Sequence, residues 1–214
     1  MAQNEIWTIG RILKWTEQYF GTKGVEAPRL DAEVLLSHVL KKERIYLYVH
    51  FDEPMEAKEL AKFREYVAKR ARHIPVAYIL GQREFMGLDF KVTKDTLIPR
   101  PDTEILVEQA LKLLSNYENP RFVDVGTGSG AIAVSIAKLS PTAVTGVAVD
   151  ISPEALAVAK ENAEKLAVSE KLEFVLGNLC EPLKGAKFTA LLSNPPYIPN
   201  ADIASLAPEV KNEP

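Results

Sequence analysis

Cysteine occurs once in the 214 residues, at Cys180. A single thiol closes no disulfide within the chain, which excludes a disulfide-stabilised scaffold and points to a reducing, cytoplasmic compartment. Cys180 is expected to be a small buried hydrophobe rather than a nucleophile. Histidine is also scarce. His38, His50 and His73 do not cluster with cysteine or acid at ligand spacing, so no metal site is expected. No run approaches the roughly 20 consecutive apolar residues of a membrane helix, and the N-terminus, with Glu5 and no apolar stretch, does not read as a signal peptide. Excess positive charge is missing too. With 26 Lys and Arg against 29 Asp and Glu, the formal net charge is −3. That leaves no global drive toward nucleic acid or a membrane surface, although a local basic patch stays possible. There are no repeats and no low-complexity linker.

What is present is ordinary for a globular protein, with 47% hydrophobic and 26% charged residues. Residues 1–80 read as helical. "TIGRILKWTEQYFGTKG" offers Thr8 as N-cap and sets Ile9, Ile12, Leu13 and Phe20 on one face. "APRLDAEVLLSHVLKKE" begins with a proline near the first helical position and carries Leu35, Leu36, Val39 and Leu40. "MEAKELAKFREYVAKRARHIP" continues the helical period, so a bundle of four or five short helices is predicted. Its basic residues Lys58, Lys62, Arg64, Lys69, Arg70 and Arg72 read either as a solvated face or as a docking surface.

The rhythm then changes. "REFMGLDFKV" alternates about Gly87 and predicts a β-hairpin within residues 81–100. "LIPRPDTEILVEQALKLLSN" is a proline-rigid loop running into a helix, with Asp102 or Thr103 as the expected cap. From Arg121, short apolar runs alternate with helical patterns: "RFVDV", "AIAVSIAKL", "AVTGVAVD", "SPEALAVAKENAEKLA", "LEFVLG" and "KFTALLS". This order predicts a parallel sheet with helices on both faces.

Two motifs carry chemistry. In "VDVGTGSGAIAVSIA", Gly126, Gly128 and Gly130 allow a sharp turn and close approach of a ligand, and Asp150 ends the next strand where an acid would hold a ribose. The spacing is G-x-G-x-G rather than G-x-G-x-x-G, and Asp124 precedes it. A carboxylate there repels a pyrophosphate but suits the ammonium and sulfonium of S-adenosylmethionine, so the pattern leans toward a methyl donor. The second motif, "SNPPYIP", follows the last strand. Its prolines fix the backbone and donate no N–H. The Asn194 amide, the Asn194 and Pro195 carbonyls and the flat face of Tyr197 suit a planar NH2 group.

Together "FMGLDFKVTKDTLIPRPDTEILVE", "VDVGTGSGAIAVSIA", "VDISPEALAVAKENA" and "SNPPYIP" resemble the release factor glutamine methyltransferases, the PrmC or HemK family. The resemblance covers nearly the whole chain, and "LIPRPDTE" is its most specific piece. It implies an α/β fold, a Rossmann-like S-adenosylmethionine-dependent methyltransferase sheet over 101–214. A helical substrate-docking domain over 1–80 and the hairpin linker of 81–100 would precede it. It implies methylation of the side-chain N5 of the glutamine in the Gly-Gly-Gln motif of bacterial class I peptide chain release factors. It implies a monomer with no membrane and no sequence-specific nucleic acid partner. By resemblance, Gly126, Thr127, Gly128, Ser129 and Gly130 surround the methionine end of S-adenosylmethionine, and Asp150 takes the ribose. Asn178 and Leu179 lie near the adenine. Asn194, Pro195, Pro196 and Tyr197 hold the substrate glutamine, with Asn194 also close to the donor methyl. The Arg100–Glu104 loop packs over the cofactor. Asn178 is a departure, since the family often has aspartate there.

Family members continue past this motif to complete a seven-stranded sheet. By that pattern the sheet here is C-terminally incomplete, and "TALLS" becomes an edge strand with an exposed apolar flank. Three alternatives stand beside this reading. One is a DNA adenine or cytosine amino-methyltransferase, which would use the same motif but needs a basic groove. Another is an inactive fragment that only binds cofactor or partner. The last is a nicotinamide oxidoreductase, disfavoured by Asp124 and the glycine spacing.

Overall fold

The computed structural model describes residues 6–195 and 207–214. The chain divides into two compact units, Met1–Leu80 with Pro208–Asn212, and Gly81–Ala207 with Glu213–Pro214.

The first unit is helical: α1 (Ile9–Thr22), α2 (Pro28–Leu40), α3 (Arg44–Val49), α4 (Ala57–Arg70) and α5 (Val76–Leu80). Thr8 caps α1, its hydroxyl accepting from the Arg11 N–H at 3.3 Å, and Pro28 opens α2 where a missing N–H costs nothing. A reciprocal capping box between Glu56 and Glu59 starts α4. The apolar stripes then meet. Ile9, Ile12, Leu13 and Phe20 of α1 are buried with Leu35 and Leu36 of α2, Leu47 of α3 and Phe63 and Val67 of α4. Each such side chain contributes about 1.5–3 kcal/mol on burial.

Arg70 corrects the reading of a basic helix face. It follows Phe63, Tyr66 and Val67 on the buried side of α4, because i, i+3, i+4 and i+7 share one face. Its guanidinium is paired with Asp31 at 2.6 Å and Glu209 at 2.7 Å. Lys62 and Lys69 are paired with Glu65.

The second unit opens with the predicted hairpin, β1 (Gln82–Phe85) and β2 (Leu88–Lys91). Met86 and Gly87 form the two-residue turn, both at positive φ, as a tight turn matched to strand twist requires. After it come α6 (Asp102–Leu114), β3 (Arg121–Val125), α7 (Ala131–Leu139), β4 (Thr145–Asp150), α8 (Pro153–Lys165), β5 (Leu172–Leu176) and β6 (Ala190–Ser193). The four later strands form a parallel sheet in the order β5-β4-β3-β6. The order reverses at β3, which places a switch point between β3 and β6.

Alternation along each strand separates two faces. Phe122, Ala148, Leu172 and Leu192 join buried residues of α6 and α7, Ala163 of α8, and Phe85 and Phe90 of the hairpin. On the other face Val123, Val125, Val147 and Val149 are met by Val175, Leu183 and Phe188. Helices on both faces were expected. Among the described residues this second face is instead met by the β5–β6 connection. That connection forms only a short 3-10 turn, Glu181–Leu183. Among the described residues β6 is an edge strand, with Leu191 exposed and Leu192 buried.

Candidate functional site

Parallel pairing aligns the carboxyl ends of all four strands. Val125 pairs with both Val149 and Ser193, and Asp150 pairs with Leu176. The expected site segments therefore leave the sheet along one edge: 126–130 after β3, Asp150 at the end of β4, 177–179 after β5, and Asn194 after β6.

The glycine loop turns because Gly126, Gly128 and Gly130 all hold positive φ, at 74°, 57° and 80°. Such values are strained for residues bearing a Cβ. Open space surrounds Gly126 and Gly128, whereas a Cβ at Gly130 would lie 3.1 Å from the Ala159 Cβ. The loop is tied down by its own strands: the Gly126 and Thr127 N–H groups donate to the Val149 carbonyl at 2.8 and 3.0 Å. Asp150 accepts from the Gly128 N–H at 2.8 Å through Oδ2 and from the Ser152 N–H at 3.0 Å through Oδ1.

Asp124 lies beneath this loop and is completely buried. Its Oδ2 accepts from the Thr127 hydroxyl at 2.6 Å and from the Ala133 N–H, in the first turn of α7, at 3.2 Å. Among the described residues its Oδ1 has no hydrogen-bond partner. Burial pushes the carboxyl up to about 6, against the opposing pull of Thr127 and Ala133, and the Asp150 charge adds to the rise.

Asn162 was not anticipated from sequence. It is fully buried in α8. Its Nδ2 donates to the Ser129 and Lys91 carbonyls, each at 2.9 Å, and its Oδ1 accepts from the Lys91 N–H at 2.7 Å. One amide thus ties the glycine loop to the hairpin. A buried asparagine among the alanines of α8 was the available signal, but nothing local names its partners.

Asp102 and Thr103 are not caps. Pro101 precedes the first helical residue, and no side chain caps α6. Both fall within the first turn, whose residues reach outward: Glu104 accepts from the Met86 N–H at 2.7 Å, and Thr103 Oγ1 accepts from Asn194 Nδ2 at 3.1 Å. Arg100 pairs with Glu213 at 2.6 Å, and the Ile98 N–H donates to the same carboxylate at 3.2 Å. Ser193 closes β6 onto β3 by donating to the Val125 carbonyl at 2.7 Å.

Asn178 donates to Glu181 at 3.3 Å. Leu179 is exposed at positive φ, and Cys180, expected inside, is exposed. The non-helical connection after β5 gives this segment no second layer to bury it. Of the second motif, Asn194 and Pro195 are described, while Pro196 and Tyr197 lie outside the described residues. Among the described residues no group of His, Cys, Asp or Glu is arranged to hold a metal, and no helix is long and apolar enough to cross a membrane.

The donor set fits S-adenosylmethionine. The crest of the loop leaves space at Gly126 and Gly128, and Asp124 carries a buried oxygen unpartnered among the described residues. The carboxylates of Asp124 and Asp150 line the turn. That is an environment for a cationic, phosphate-free ligand rather than a pyrophosphate.

Residues 101–208 match the family model described as methyltransferase small domain. Fold, site and match define the class: the protein is an S-adenosylmethionine-dependent methyltransferase of Rossmann-like fold. Residues 11–81 match the PrmC N-terminal domain model. The chain is 48% identical to the release factor glutamine methyltransferase of Geobacter sulfurreducens, covering 97% of this chain and 71% of that protein. Its identity to the enzymes of the same name from Rhodopirellula baltica and Vibrio cholerae is 44% in both cases. Those matches cover 96% and 97% of this chain, and 71% and 72% of the relatives. The chain belongs to the release factor glutamine methyltransferase family.

Proposed function

We propose that the protein methylates the side-chain N5 of the glutamine in the Gly-Gly-Gln motif of bacterial class I peptide chain release factors. The observation that carries this reading is the alignment, along one sheet edge, of a carboxylate-lined glycine loop with Asn194 and Pro195. S-adenosylmethionine, when bound, supplies a methyl group on a positively charged sulfur. Gly126–Gly130 and Asp150 would hold it, with Asn178 and Leu179 toward its adenine. The Asn194 side-chain carbonyl and the Pro195 main-chain carbonyl would accept the two hydrogens of the glutamine NH2. Tyr197 would stack on its plane.

An amide nitrogen is a poor nucleophile because its lone pair is delocalised into the carbonyl. Two acceptors on its hydrogens return electron density to nitrogen and fix its direction. Orientation of this kind can supply up to about 7–11 kcal/mol of a barrier, and each aimed polar group a further ~3 kcal/mol.

The helical unit suits docking of a protein substrate. An open groove of about 550 Å³ in it is lined by His38, Lys41, Lys42 and Arg44, with Glu43 opposing them. The Arg44 guanidinium pairs with the buried Glu33 at 2.8 Å, and Lys41 and Lys42 are exposed beside it. The reaction belongs in the cytoplasm, a compartment that suits a chain with one unpaired cysteine.

The test is transfer of label from methyl-labelled S-adenosylmethionine to a purified bacterial release factor. Label is expected with the Gly-Gly-Gln factor. It should be absent with a Gly-Gly-Ala factor, and absent with Asn194→Ala enzyme. A folded, cofactor-binding protein that labels neither factor would overturn the reading.

A further inference from the structure

We propose that Thr103 is a positioning residue that holds the Asn194 side-chain amide in place, with its carbonyl and not its NH2 toward the methyl-acceptor group. The inference rests on the function proposed above and deepens it.

A side-chain amide has a donor end and an acceptor end of nearly the same shape. If the acceptor substrate is itself an NH2 group, only one of the two orientations works. Turned the wrong way, Asn194 would oppose N–H to N–H. Something must therefore choose the orientation before substrate arrives.

Two features accompany the orientation seen here. The donor end is engaged: Asn194 Nδ2 lies 3.1 Å from Thr103 Oγ1, which accepts its hydrogen. The acceptor end has been stripped of its local alternatives. An asparagine carbonyl ordinarily turns back onto the N–H two residues on. Here the following residues are Pro195 and Pro196, and neither has an N–H. Pro195 also restricts Asn194 to extended backbone conformations, which takes the side chain out of a helical turn. The proline pair thus removes competing donors, while Thr103 holds the amide by its nitrogen.

The support behind Thr103 is rigid. Its own N–H donates to the Arg100 carbonyl at 3.0 Å. Next to it, Glu104 accepts from the Met86 N–H in the hairpin turn. Arg100 and the Ile98 N–H are both fixed on Glu213. On the other side, Ser193 is fastened to the Val125 carbonyl. Both partners of the Thr103–Asn194 bond are therefore held from behind, and each is only half-buried, so a change at Thr103 tests orientation rather than folding.

The experiment compares Thr103→Val, which keeps the shape but removes the acceptor, with Thr103→Ser, which restores it. The first readout is the side-chain amide pair of Asn194 in 15N-correlated spectra, assigned by its disappearance in Asn194→Asp. The Val variant should shift this pair and the Ser variant should return it toward the wild-type position. The second readout is steady-state methyl transfer to release factor. The Val variant should lower kcat roughly 10-fold, about what one positioning hydrogen bond is worth. KM for S-adenosylmethionine should change less than kcat, and Ser should recover most of the loss. Wild-type kcat in the Val variant would overturn the proposal. So would a fall in kcat with the Asn194 amide pair unmoved, since Thr103 would then not act through Asn194. A wild-type enzyme that labels no release factor, with the amide pair still responding to Thr103→Val, would instead remove the function on which the proposal rests.

Discussion

Gly128 donates its backbone N–H to the Asp150 carboxylate at 2.8 Å. The residue expected to hold the cofactor ribose therefore also holds the loop expected to cradle the methionine end. On that expectation, ligand binding and loop shape would be coupled through one side chain. The coupling is possible because parallel register brings the ends of β3 and β4 side by side.

Asp150→Ala is accordingly expected to weaken binding of S-adenosylhomocysteine by roughly 10- to 100-fold, the range for hydrogen bonds to a charged group. Titration calorimetry measures it. Unchanged affinity would show that Asp150 serves the loop alone.

Asp124 gives a pH dependence with a definite sign. Its carboxyl has an ordinary value of 3.8 when exposed and is raised to about 6 in the fold, chiefly by burial. Between those values the folded chain keeps a proton that the unfolded chain has released, so this group's stabilisation is lost as pH rises from about 4 to above 6. The shift corresponds to roughly 3 kcal/mol at most. Asp124→Asn keeps a neutral side chain throughout. Its stability relative to wild type should therefore improve across this window, read from urea midpoints at several pH values. A difference that stays constant with pH would contradict the assignment.

Asn162→Ala removes three hydrogen bonds at a fully buried position. Leaving Ser129 and Lys91 groups unpaired costs about 1–3 kcal/mol for each one that water cannot reach. A loss of roughly 3 kcal/mol in chemical denaturation is expected, together with weaker cofactor binding as the loop loosens. Asn162→Asp should be worse, because a carboxylate oxygen would then face the two carbonyls that Nδ2 now serves.

Arg70→Met should destabilise the helical unit by about 3–5 kcal/mol, the usual cost of leaving one member of a buried pair without its partner. Asp31, whose carboxyl burial already pushes upward, and Glu209 are the groups left behind. Adding Asp31→Asn should recover part of the loss, as a double-mutant cycle in thermal melts would show. Simple additivity would mean that the pair is not energetically coupled.

Much of the fold was readable in advance because it rests on local rules. Thr8, Pro28, Ser152 and Pro153 mark helix starts wherever they are placed. The short apolar runs beginning at Arg121, Ala143, Leu172 and Lys187 each did supply a parallel strand. Local rules failed at three places. Thr103 looked like a cap yet bonds to Asn194, 91 positions away. Arg70 looked like part of a basic face, but its spacing from Phe63, Tyr66 and Val67 turns it inward. Cys180 looked buried by type, yet its connection has no covering layer.

By itself the sequence determined the period of each element, the glycine turn and the rigidity of the Asn194-Pro195-Pro196 segment. Those properties follow from backbone sterics and from side-chain spacing along one chain. Only the tertiary structure decided that Asp150 braces Gly128, that Asn162 joins the glycine loop to the hairpin, and that Thr103 meets Asn194. These contacts join residues 22, 33 and 91 positions apart. A hydrogen bond carries no trace in local propensity when its partners meet only after the sheet has set their register.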